Sequence, residues 1–102
     1  MEFELDEFLL EYDELSRRIV TLLSTKRKME ITQADVSSMY GDIDILAQSA
    51  SLFGFTEVCK ELTDLKAILE PAFKNQKSIS LEVIDAIQKG FAKLDHTVVN
   101  LK

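Results

Sequence analysis

The chain has 102 residues, 46% of them apolar and 29% charged, with a formal net charge of −6. That balance fits one globular domain with a core of its own and excludes a disordered chain. The acidic excess excludes a nucleic-acid binder, which needs clustered Lys and Arg to meet phosphates, and no apolar run approaches the roughly 18 residues of a membrane span.

Breakers are scarce, with one proline and three glycines, so long uninterrupted helices are expected. The single cysteine, Cys59, has no partner for an internal disulfide and no ligand set around it for a metal. It is expected to be a buried, reduced thiol. The opening "MEFELDEFLLEYDEL" is acidic, unlike a signal or transit peptide, and a reducing cytoplasm is the expected location.

In the first segment Leu5, Phe8, Leu9, Tyr12, Leu15, Ile19, Leu22 and Leu23 recur at three and four residues, the stripe of an amphipathic helix. Seven of the 18 acids fall in the first 14 residues, and Lys26, Arg27 and Lys28 come at the far end. That order complements a helix macrodipole and needs no docking partner to explain it.

Thr32 is the expected N-cap of a second helix, with Asp35 three residues on. Its stripe is Val36, Met39, Tyr40, Ile43, Leu46, Ala47, Ala50 and Phe53, closed by Gly54 as a C-terminal glycine. Phe53 is expected to anchor the core at the end of that stripe. Thr56 would then cap a third helix with Val58, Cys59, Leu62, Leu65, Ile68 and Leu69 inward, and Pro71 would kink or stop it. "KNQKSIS" reads as the one substantial loop. Ser80 would cap a fourth helix, on which Ile84, Ile87, Phe91, Leu94, Val98 and Leu101 recur. Four helices with short connections and no alternating strand pattern predict an all-α, antiparallel up-down four-helix bundle.

The stretch "DILAQSASLFGFTEVCKEL" resembles the signature of histidine phosphotransfer (HPt) domains, including the N-terminal phosphotransfer domain of chemotaxis histidine kinases. That signature has the form H-x-L-K-G-x-A-x-x-[FL]-G-[FA], and Leu46, Ala50, Phe53, Gly54 and Phe55 match it. The likeness extends to "DEFLLEYDELSRRIVTLL" and to "ISLEVIDAIQKGFAKLD", so that residues 1–102 would form one HPt-like bundle. The departures fall on the chemistry. Asp44 stands where the family has its phosphorylated histidine, Ala47 where it has a lysine and Gln48 where it has a glycine. Phosphotransfer needs an imidazole nitrogen as nucleophile and carrier, a cation to neutralise the phosphoryl group, and an open approach for the partner. The resemblance therefore implies a phosphotransfer-incompetent domain that is not an enzyme. His96, the only histidine, lies on the fourth helix far from this motif and is expected to be a helix residue without a role. No cofactor or metal site is expected.

On a helical wheel Ser37, Asp44, Gln48 and Ser51 share one flank of the second helix, and Ile45 and Leu52 lie further round, away from the main stripe. Either this helix is covered on a second side, or the face is a docking surface. The resemblance implies the latter: Asp44, Ile45, Gln48, Ser51 and Leu52 would bind the receiver domain of a response regulator or a histidine kinase, with no nucleic acid or membrane involved. The rival readings are an unrelated four-helix interaction or dimerisation module, an export chaperone among them, and an active phosphotransfer protein using an unexpected residue.

Overall fold

The computed structural model describes residues 2–76 and 78–101, and side chains from Leu5 onward. Lys77, within the expected loop, and the chain ends Met1 and Lys102 lie outside the described residues. Four long helices follow one another: α1 (Glu2–Thr25), α2 (Gln33–Leu52), α3 (Thr56–Lys74) and α4 (Leu81–Val99). A single 3₁₀ turn, Lys28–Glu30, joins α1 to α2, and no strand occurs among the described residues.

The pairing of side chains across helices gives the topology. From α1 to α2 the pairs are Glu11 with Ser49, Arg18 with Asp42, and Lys26, just past α1, with Asp35. One number rises as the other falls, so the helices are antiparallel. Asp44 meets Lys66 and Tyr40 meets Phe73 between α2 and α3. Leu65 lies against Gly90, and Glu61 against Thr97, between α3 and α4. Tyr12 donates to Asp95 at 2.6 Å, closing the ring between α1 and α4. The result is an up-down four-helix bundle, 42 Å along its longest axis.

The stripes converge as their periods require. Phe8 and Ile19 of α1 are buried with Met39, Ile43 and Leu46 of α2, Leu62 and Leu69 of α3, and Ile87, Phe91 and Leu94 of α4. At Gly90 the Leu65 side chain of α3 lies directly against α4: a methyl group there would collide with Leu65 Cδ2. Ile79, in the loop before α4, is also buried and plugs one end of the core.

Caps define the ends of α2. Thr32 Oγ1 accepts from the Asp35 N–H at 3.1 Å and Asp35 Oδ2 accepts from the Thr32 N–H at 3.0 Å, a reciprocal capping box. Lys26 bonds the same Asp35 oxygen at 2.8 Å. At the other end Gly54 sits at φ +80°. The Phe55 N–H bonds the Ala50 carbonyl at 2.8 Å and the Gly54 N–H bonds that of Ser51 at 3.2 Å, the two bonds of a Schellman turn.

Several local expectations are corrected. Phe53 is half-buried and not a core anchor. Phe55, beyond the Schellman turn, is half-buried too: it meets the fully buried Phe8 edge-on at 5.2 Å, and Phe53 leans on Phe55, so both rings pack against the edge of the core. Phe55, not Thr56, holds the N-cap position of α3. Cys59 is free but only half-buried, at the edge of the α3 stripe. Pro71 does not stop α3, which runs on to Lys74. Buried Ala72 and Phe73, stacked on Tyr40 at 4.2 Å, hold that last turn in place. The basic cluster begins one residue beyond the end of α1, so Lys26 pairs across the turn with Asp35.

Candidate functional site

Asp44 lies midway along α2, on the flank that faces α3. Its Oδ2 accepts from Gln48 Nε2 one turn on, at 2.8 Å. Its Oδ1 is met by Lys66 Nζ of α3 at 2.6 Å. Lys66 also lies 5.6 Å from the centre of the Tyr40 ring, which is stacked on Phe73, so an aromatic face supports the cation from beside. The hydrogen bond to Asp44 is the main reason that the Lys66 ammonium is held above its ordinary range.

Sequence reasoning found no cation for this position, because Ala47 replaces the motif's lysine. The structure corrects that: α3 supplies Lys66 from 22 residues away. Ala47 itself is buried between helices, where a lysine would lose its water. With a donor on each oxygen, Asp44 is a neutralised pair partner and is not offered as a nucleophile.

The expected binding residues divide into two groups. Asp44 and Gln48 are joined directly. Ile45 and Leu52 are 48% and 81% exposed, so this side of α2 is open. Ser51 is exposed further round and lines a shallow hollow with Cys59 and Lys60 at the start of α3. The rest of the outward face is small: Ala34, Ser37 and Ser38 are exposed and Gly41 has open space beyond its Cα. All three charged residues of α2 are paired with a cation, Asp35 with Lys26, Asp42 with Arg18 and Asp44 with Lys66. The outward face is thus flat, small and without unpaired charge.

No protein-family model, curated protein or solved structure matches the chain.

Two further polar groupings were missed in the sequence. Asp42 is buried and takes a two-pronged grip from Arg18, at 3.0 and 2.7 Å. Its signal is positional: it sits seven residues before Ser49, on the same α1-facing flank. Tyr12 is buried with its hydroxyl on Asp95; burial first, and then the Asp95 carboxylate, push its phenol far above the ordinary range, so it stays a donor. Only the contact of α1 with α4 reveals that pair. His96 is exposed in the last turn of α4, next to Asp95 in the chain.

Proposed function

We propose that the protein is an HPt-like binding module, unable to carry a phosphoryl group, whose α2 face docks a receiver domain or a histidine kinase of two-component or chemotaxis signalling. The observation that carries this reading is the outward face of α2, which exposes Ile45 and Leu52 among small residues and has every charge paired. Charge depletion and exposed apolar groups mark the centre of protein interfaces. The likeness of the Leu46–Phe55 stretch to the HPt signature supports the partner class. Incompetence follows from Asp44, a carboxylate tied to Lys66 and Gln48 where an imidazole would be needed.

The test is a titration of isolated receiver domains and kinase catalytic domains, followed by calorimetry, with radiolabelled phosphate transfer measured in parallel. Binding without labelling is expected, and Ile45→Ser with Leu52→Ser should weaken it about tenfold or more. Asp44→His with Gln48→Gly is the informative gain-of-function pair, because Lys66 already stands beside position 44. Labelled wild type would remove the claim of incompetence. Absence of binding to every receiver and kinase, together with self-association lost in the Ile45/Leu52 variant, would make this a dimerisation module.

A further inference from the structure

A groove of about 800 Å³ runs between α1 and α4 from Asp6 to Val20. Its apolar end is formed by Leu9 and Val98 at the floor, with Leu10 and Val99 standing on the two walls 73% and 59% exposed. Leu10 and Val99 are two of the six large apolar side chains left in water among the described residues. The groove's charges are Asp6, Asp13 and Asp95 against Arg17. Three carboxylates against one guanidinium make the lining net acidic. Arg17 is paired with Asp13 at 2.8 Å, so among the described residues the acids that face the groove without a cation are Asp6 and Asp95, the latter held by the neutral Tyr12 hydroxyl. Val20 closes the far end, 14 residues from Asp6, a length of about 21 Å or four helical turns.

We propose that this groove docks a basic amphipathic helix of a partner protein. An apolar anchor would sit among Leu9, Leu10, Val98 and Val99, and Lys or Arg on its flanks would face Asp6 and Asp95. Charge complementarity selects this occupant. A second copy would bring its own α1, with seven of the chain's 18 acids in its first 14 residues, against the same carboxylates. An anionic lipid surface or a nucleic acid is repelled for the same reason. The proposal does not depend on the role given to α2, which lies on a separate surface.

The probe is a fluorescent amphipathic peptide of Leu and Lys about four turns long, with a Leu and Glu peptide of the same pattern as its counterpart. The Lys peptide is expected to bind, with backbone NMR shifts confined to α1 and α4, and the Glu peptide is expected not to. Leu10→Ser with Val99→Ser should weaken binding about tenfold or more. Both positions are exposed, and circular dichroism checks that the fold survives. Asp6→Asn with Asp95→Asn, whose amide oxygen can still accept from Tyr12, should weaken it severalfold and flatten its dependence on salt. Ile45→Ser with Leu52→Ser should leave it unchanged, which separates this proposal from the reading of α2. The proposal is overturned if the Lys peptide does not bind, or binds equally to the Leu10/Val99 variant. It is overturned equally if the free protein self-associates through Leu10 and Val99, or if anionic vesicles bind there.

Discussion

The outward face of α2 and the groove between α1 and α4 both leave large apolar side chains in water, yet they are built on opposite electrostatic terms. On α2 each acid is held by a cation from a neighbouring element, Lys26, Arg18 or Lys66, and the outward residues before Ile45 are small. Along the groove the acids outnumber the single arginine, and the apolar groups stand on walls around a depression. A neutral, flat face discriminates by shape and tolerates salt. An acidic groove steers a cationic partner and weakens as salt rises. If both surfaces dock the partners proposed for them, their affinities should respond to different variables.

The sharpest way to test the α2 half of this contrast is to compare its two sides. Leu46 is fully buried directly beneath the face, and Leu46→Ala should cost about 2–5 kcal/mol through lost contacts and a residual cavity. Ile45→Ser and Leu52→Ser, one residue and six residues away, should each stay within about 0.5 kcal/mol. Urea unfolding curves give both numbers. A large loss from the outer pair would mean that the face is a structural surface and would dissolve the comparison.

The glycines sharpen it further. Gly90 faces inward from α4, and an added methyl meets Leu65. Gly90→Ala should therefore destabilise by about 1–3 kcal/mol through overpacking, despite the better helix propensity of alanine. Gly41 faces outward from α2 with nothing near its Cα, and Gly41→Ala should stabilise by up to about 1 kcal/mol. If the α2 face binds its partner at close range, the same substitution should weaken binding even as the melting temperature rises. A gain in both would show that the partner does not approach the helix backbone there.

The sequence was most informative where periodicity alone decides. The stripes of α1 and α4, the capping box at Thr32 and the turn at Gly54 all follow from local spacing and residue chemistry. It was least informative where two elements meet. Phe53 ends the apolar stripe of α2, yet only the tertiary contact of Phe55 with Phe8 shows that both rings stay at the edge of the core. Pro71 is a breaker by local rules, yet Phe73 stacked on Tyr40 carries the helix past it. Lys66 lies on a different helix from Asp44, so no motif read along one helix could have paired them. The groove is lined by both α1 and α4 and is a property of neither helix by itself.

The smallest expected effect concerns the pair that makes α2 neutral. The Asp44 and Lys66 side chains are 34% and 27% exposed, and such pairs are worth about 0–1 kcal/mol. Lys66→Met should cost no more than that, since Gln48 still donates to Asp44. The sign of its pH dependence is fixed. Lys66 is raised above its unfolded value by the hydrogen bond to Asp44, against the opposing effect of burial. Its contribution is then fully present below the ordinary lysine value of 10.5 and is lost as pH rises through the higher folded value. Urea curves of wild type and Lys66→Met should differ slightly near neutrality and converge in strong alkali. The larger consequence is electrostatic. Without Lys66 the carboxylate of Asp44 becomes an unpaired charge on the α2 face, which then resembles the groove in sign. Binding of a partner to α2, insensitive to salt in wild type, should become salt-dependent in Lys66→Met. An unchanged salt response would mean that Asp44 is not felt by whatever docks there, and that the neutrality of α2 serves the bundle alone.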